Sequence, residues 1–341
     1  MSLFQSSAWQ SAWWDTWGHQ NGFRLLRPWD GEVSGIYESN YRWKGVLPVR
    51  SLHFVGTSHK NLRSPRTEYN RLFPDRVKGE ELLRSTASIL KSCRWTEVVL
   101  NDLLNQSEEI SVLKDLAAAE RWALRIRAVD KGYAVATTGR YEDYLASLGK
   151  NSRLRLHNRR KLLEAQGNIR LENAWFSGPR DFFAELNRFH RARWNKSVVT
   201  DRSLAFHLRF LDRLMEEGGE PLLSVLSCNG RPVSLLYNVG FRGVVYNIQA
   251  GFDETFHRKL SLGSLHLGYA IEEAFERPDT TRFDFLVGEG KNEDYKSRFA
   301  TENYQFISVM LVRSILFRAL YAAKGVLRYP WVRHENCSSS Y

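Results

Sequence analysis

Tyr246-Asn247-Ile248-Gln249-Ala250-Gly251-Phe252-Asp253, then Arg258-Lys259-Leu260-Ser261-Leu262-Gly263, then Phe283-Asp284-Phe285-Leu286-Val287-Gly288: this succession decides the fold. A β-favouring run leads into a basic loop with one glycine. Ser264 to Glu276 follows, with Leu265, Tyr269, Ile271 and Phe275 near helical spacing and a stop before Pro278, so it predicts a helix. Upstream, Pro221 to Cys228 ends at Asn229-Gly230, a dipeptide whose residues both tolerate positive φ and therefore suit a tight hairpin. Arg231 to Phe241 reads as the returning strand, and Arg242-Gly243 supplies the next turn into Val244 to Gly251. The expected order is an antiparallel meander, a basic loop, a helix and one more strand. A helix that follows a basic, glycine-containing loop can receive a phosphate, because its free N–H groups and its dipole point at the ligand. Read alone, Gly263 fits an ordinary turn equally well.

This order resembles the GNAT acyltransferase superfamily, in particular its CelD-like (cellulose biosynthesis) branch, which is related to the FemAB peptidyltransferases. The resemblance implies an α/β fold of tandem GNAT-like domains, each a mixed, mostly antiparallel sheet flanked by helices. It also implies that Val244 to Gly251 and Arg282 to Val287 splay apart to admit the pantetheine arm of an acyl-CoA. The superfamily loop Gln/Arg-x-x-Gly-x-Gly/Ala keeps its Arg and last Gly here as Arg258 and Gly263, with Ser261 at the first Gly and Leu262 where the branch has Pro. By resemblance, Gln249, Ala250, Arg258, Lys259, Ser261, Leu262, Gly263 and Ser264 hold acetyl-CoA. Asp294-Tyr295-Lys296 resembles the branch's Tyr-Lys pair, Arg193-Trp194-Asn195-Lys196 its Arg-containing loop before a helix over Ser203 to Glu217, and Tyr141 to Leu145 with Arg153, Arg159 and Arg160 its helical linker. The match runs over roughly 1 to 315, and its specificity lies in the order of short motifs.

Acyl transfer from a thioester needs orientation, a base for the attacking amine or hydroxyl, polarisation of the carbonyl and an acid for the thiolate, but no covalent nucleophile. Asp284, on the strand that should flank the thioester, is the candidate base; as an alternative it is a paired structural acid. Tyr295 is the candidate acid, and Lys296 the group to polarise the carbonyl or hold an acceptor phosphate, against a reading of both as solvent-facing helix residues. Arg193, Trp194, Asp253 and Glu289 are candidate acceptor-binding residues. No Gly-x-Ser-x-Gly elbow occurs, and His190, His207, His257 and His266 lie at no useful spacing, which marks them as structural or surface residues.

The 341 residues fit two domains of about 150 each, placed at 1–150 (degenerate, without an intact phosphate loop), 151–330 (catalytic) and a tail at 331–341. In the first half, Tyr41 to Val49, Leu52 to Val55, Thr96 to Leu100, Trp122 to Ala128 and Gly132 to Ala136 read as strands, with helices over Lys78 to Ser92 and Glu108 to Ala119. Trp9, Trp13 and Trp17 recur every four residues and predict a packed helical face. Three cysteines, Cys93, Cys228 and Cys337, lack metal spacing, so no metal is expected. No apolar run spans a membrane and no leader pattern opens the sequence, which predicts a cytoplasmic protein.

The 49 Lys and Arg against 38 Asp and Glu give a net charge of +11. Lys150, Arg153, Arg155, Arg159, Arg160 and Lys161 form a run that suits a solvated linker face or phosphate groups, with nucleic acid entering only as tRNA. Arg313 to Arg328 reads as an amphipathic helix that docks on its own sheet or lies on an anionic membrane surface, which would place the protein peripherally at the inner membrane. The resulting expectation is an acyl-CoA-dependent acyltransferase acting on a sugar or polysaccharide precursor, in contact with polysaccharide-synthesis machinery. A FemAB-like aminoacyl-tRNA-dependent transferase and a non-catalytic scaffold are the alternatives.

Overall fold

A computed structural model of the chain describes residues 1–57, 62–288 and 294–325. The chain forms two compact units, Met1–Lys131 with Tyr304–Tyr341, and Gly132–Asn303.

The first unit opens with α1 (Ser7–Trp13), whose Trp9 and Trp13 are fully buried, as is Trp17 just beyond. The four-residue spacing of these tryptophans therefore marks a packing face. Its sheet orders β1 (Arg24–Arg27), β2 (Ile36–Trp43) and β3 (Leu47–Phe54) as an antiparallel meander. The run expected as one strand over Tyr41 to Val49 is in fact the β2–β3 hairpin, because Lys44 and Gly45 both take positive φ and turn the chain. After α2 (Gly79–Lys91), β4 (Glu97–Leu104) pairs parallel to β3, Leu52 opposite Val98. Then come α3 (Glu108–Ala119) and β5 (Ala123–Ala136), which is one continuous strand where the sequence suggested two and which ends in the second unit.

In the second unit a helical linker of α4 (Tyr141–Ser147), α5 (Lys150–Arg153) and α6 (Arg160–Glu164) leads to β6 (Ile169–Asn173), α7 (Pro179–Trp194) and α8 (Asp201–Glu216). Then β7 (Glu220–Cys228), β8 (Arg231–Phe241) and β9 (Val244–Phe252) form the expected meander, with β6 on the outer side of β7. The turns lie at Asn229-Gly230 and Arg242-Gly243, all four at positive φ. Next are α9 (Leu262–Glu276), β10 (Arg282–Asp284) and α10 (Asp294–Ser297). β10 pairs parallel to β9 on one side and antiparallel to the end of β5 on the other. The chain leaves this unit along β11 (Glu302–Val312) and ends its described part in α11 (Ile315–Gly325).

The units depart from the expected sequence halves at both ends. Gly132 to Ala136 already pair within the second unit, Ala134 opposite Asp284. β11 belongs mainly to the first unit, where it pairs antiparallel with β4, Met310 opposite Val99, and buries Val309 and Leu311 in that unit's core. α11 docks on the same unit: Phe317 joins the core, and Tyr321 donates to the buried Glu97 at 2.7 Å. No described helix is long and apolar enough to cross a membrane.

The basic linker is not a solvated rod. Leu156 and Leu163 are fully buried, and Arg160 stacks 3.9 Å over the Tyr269 ring while pairing with Glu272 at 2.5 Å. The chain crosses α9 so closely that a Cβ on Gly268 would stand 1.9 Å from the Leu156 carbonyl oxygen. That neighbour is backbone and cannot rotate away. Gly268→Ala should therefore destabilise the protein by about 2–4 kcal/mol, and a chemical-denaturation curve with an unchanged midpoint would contradict this packing.

Candidate active site

The site begins where β9 and β10 part. Their parallel register runs Arg282 to Val244, Phe283 to Val245 and Asp284 to Tyr246, and then stops. β9 continues to Phe252, so its edge beyond Tyr246 has lost its neighbour on that side. The strand expected to run to Val287 ends at Asp284, because Leu286 takes φ +56° and turns the chain. A branched apolar residue enters that region only when its surroundings hold it there.

Two of the sequence candidates do the holding. Asp284 is buried, and Leu286 N–H donates to its Oδ1 at 2.8 Å, while Arg282 Nε lies 3.7 Å from Oδ2. Lys296 is buried as well, and its Nζ donates to the carbonyl oxygens of Phe285 at 2.8 Å and Leu286 at 3.0 Å. It packs so near Gly288 that a Cβ there would lie 2.4 Å from Nζ. Neither side chain is solvent-facing, and both brace the strand end that opens the gap.

On the other side of the gap, the N-cap of α9 is Ser261, which makes no side-chain cap hydrogen bond, and the first turn carries no acidic residue. The N–H groups of Leu262, Gly263 and Ser264 thus meet no side-chain cap, and Arg258 and Lys259 stand exposed in the loop before them. This end of the helix suits a phosphate group. Gly263, however, is a packing glycine: a Cβ there would fall 2.6 Å from the Phe252 ring, and Leu262 is buried with it. The corresponding helix of the first unit contrasts with this. α2 has Glu80 and Glu81 in its first turn, and Gly79 N–H donates to Glu108 Oε2 at 3.0 Å, so carboxylates already occupy the anion position.

The open edge of β9 is bounded by α7. His190 Nε2 lies 3.0 Å from the Ala250 carbonyl oxygen, and Ala250 N–H donates to the Gln249 side chain at 3.0 Å. Since the carbonyl can only accept, the His190 proton sits on Nε2 and Nδ1 is left as an acceptor. Burial, against the bond to Ala250 and reinforced by the Arg193 and Lys196 charges, holds His190 below the ordinary imidazole value. Three residues on, Arg193 pairs with Glu254 at 2.9 Å and places its guanidinium over Phe252 and Trp194, 4.9 and 5.0 Å from the ring centres. Trp194 remains 37% exposed, which leaves surface for a ligand. Tyr295 is half-buried; burial pushes its hydroxyl up and the Arg193 charge draws it back.

Of the sequence candidates, Gln249, Ala250, Arg193 and Tyr295 thus gather around the end of β9, together with His190, which sequence reading had set aside. The signal for it was its place one turn before Arg193 on α7. Asp253 is a turn residue: Thr255 N–H and Oγ1 donate to it at 2.9 and 2.7 Å and Arg231 pairs with it at 3.1 Å. Glu289 lies outside the described residues. Among the described residues no cluster of His, Cys, Asp and Glu could hold a metal. His207 and His266 are fully buried within the unit, where burial drives both imidazoles down to about 3.

If Lys296 braces the strand end, Lys296→Met should strip two carbonyls of their donor and lower stability by about 2–4 kcal/mol. Tyr295→Phe should stay within about 0.5 kcal/mol of the parent. Equal melting temperatures for the two variants would remove the brace.

Residues 150–297 match the family model described as the acetyltransferase (GNAT) domain. No curated protein matches the chain. Among solved structures, FemX superposes with a TM-score of 0.56 at 13% identity, covering 95% of this chain and 98% of that one. The C-terminal domain (DUF2156) of a putative lysylphosphatidylglycerol synthetase from Agrobacterium fabrum gives 0.53 at 9% identity, covering 95% and 92%. At such identities the likeness is one of fold, and it extends over nearly the whole chain. With its meander, parted strands and basic loop before α9, the second unit carries a GNAT acetyltransferase domain over residues 150–297.

Proposed function

We propose that the chain transfers an acetyl group from acetyl-CoA to an amine or hydroxyl of a sugar or polysaccharide precursor, as the CelD-like branch resemblance suggests. The parting of β9 from β10 beside the uncapped start of α9 is the observation that supports it. The thioester supplies an activated carbonyl carbon and a thiolate leaving group. Arg258 and Lys259, with the first N–H groups of α9, hold the pyrophosphate, and the edge of β9 near Gln249 and Ala250 orients the acyl arm. Arg193 and Trp194 form the acceptor wall. His190 Nδ1 takes the proton of the attacking amine or hydroxyl as the new bond to the carbonyl carbon forms. When the carbon–sulfur bond breaks, the thiolate takes the Tyr295 hydroxyl proton. Asp284 and Lys296 are positioning residues, which replaces the base and carbonyl-polarising roles expected of them.

Three measurements test this. Calorimetry should give micromolar acetyl-CoA binding, weakened ~10-fold or more when the exposed Arg258 and Lys259 are both changed to Ala. Because the base acts as neutral imidazole, kcat/KM should fall as pH drops through an apparent value below 6.5. His190→Ala should lower the rate by roughly 10²-fold and erase that limb, and Tyr295→Phe should lower it by about 10–100-fold. A pH profile unchanged in His190→Ala would take the base role from it.

A second reading is an aminoacyl-tRNA-dependent transferase. Lys150, Arg155 and Lys161 are exposed on the linker that packs over α9, and they would face the nucleic acid. Absence of acetyl-CoA binding, with tRNA affinity falling steeply with salt, would select that reading. Absence of both would leave a non-catalytic scaffold.

A further inference from the structure

Beneath the C-terminal half of α9, the second unit contains a cavity of about 390 Å³. Ten residues of helix, about 15 Å, separate its wall at Glu273 from Gly263. The sequence explains why space remains there. α9 turns Ala270 and Ala274 toward the cavity, and the sheet beneath carries Ser224 and Asn238 where a helix-covered face normally carries large apolar side chains.

The floor sets the polar Ser224 and Asn238 among the apolar Leu222 and Val245. Asn238 is 2% exposed, and its Oδ1 accepts from Asn247 Nδ2 at 2.6 Å. Among the described residues its own Nδ2, a donor of two hydrogens, has no hydrogen-bond acceptor. A buried amide left in that state is unfavourable without a partner. Ser224 is already engaged with His266 at 2.9 Å, so Asn238 is the group that faces the space unsatisfied.

The rim is acidic. Arg277 pairs with both Glu220 and Glu273, one cation against two carboxylates. Glu172, exposed on β6, also lines the cavity and has no ion-pair partner among the described residues. The carbonyl end of α9 lies on the same side and adds to the negative field.

We propose that this cavity is a second binding site, for a small ligand that carries an ammonium group and a hydrogen-bond acceptor. The acceptor meets Asn238 Nδ2 at the floor, and the ammonium lies among Glu172, Glu220 and Glu273 at the rim. The volume falls in the range of small-molecule sites and admits a molecule the size of a hexosamine.

The test uses the full chain with acetyl-CoA present, titrated by calorimetry with D-glucosamine and ethanolamine, and with D-glucose as the uncharged control. At least one amine should bind saturably and D-glucose should not. Glu172→Gln, a surface change that leaves the fold intact, should weaken the amine at least ~10-fold, and Ala274→Leu, which fills the cavity, should abolish binding. No binding of either amine would overturn the proposal. So would amine affinity unchanged in Glu172→Gln and in a folded Ala274→Leu, which would assign the binding to the acceptor side of the acyl-transfer site.

Discussion

The early end of β10 is the constraint from which the rest of the second unit follows. Had the strand continued parallel to β9 past Asp284, the edge of β9 would be closed by a ladder and no acyl arm could lie along it. The chain is instead forced through Leu286 at positive φ, and that conformation is held by a carboxylate on one side and a buried ammonium on the other. Both groups are buried, and backbone groups meet each of them: the Leu286 N–H on Asp284 and the Phe285 and Leu286 carbonyls on Lys296. The strand stops where these two buried side chains meet the backbone, and the gap it leaves is where the proposed site lies.

The two units share one plan. In each, a meander runs into a helix and then into a short parallel strand, β3–α2–β4 in the first and β9–α9–β10 in the second. They differ at the start of the helix. Glu80, Glu81 and Glu108 gather at α2, whereas α9 begins with neither acid nor cap. The same backbone arrangement thus carries opposite electrostatics, and only one copy can attract an anion. A few carboxylates at a helix terminus suffice for that difference, with no rearrangement of the backbone.

The meander and α9 were legible in the sequence because their signals are local. Asn229-Gly230 and Arg242-Gly243 name their turns, and the apolar spacing from Leu265 to Phe275 names the helix. Asp284, Tyr295 and Lys296 were found as a neighbourhood, but the work of Asp284 and Lys296 was not legible, because a sequence gives a residue's type and not which backbone groups it will meet. His190, proposed above as the base, was not legible for the same reason: its tautomer is set by a carbonyl sixty residues away along the chain. The place of β11 was hidden too, since a strand at the end of a run reads as part of the domain it follows.

That strand has a consequence for how the protein is made. β11 lies beside β4 and carries Ile307, Val309 and Leu311 into the first unit's core, yet it is synthesised after all of the second unit. On the ribosome the second unit can therefore close as soon as Asn303 has emerged, while the first waits with an open strand edge and an unfilled core until β11 arrives. The order of completion runs against the order of translation.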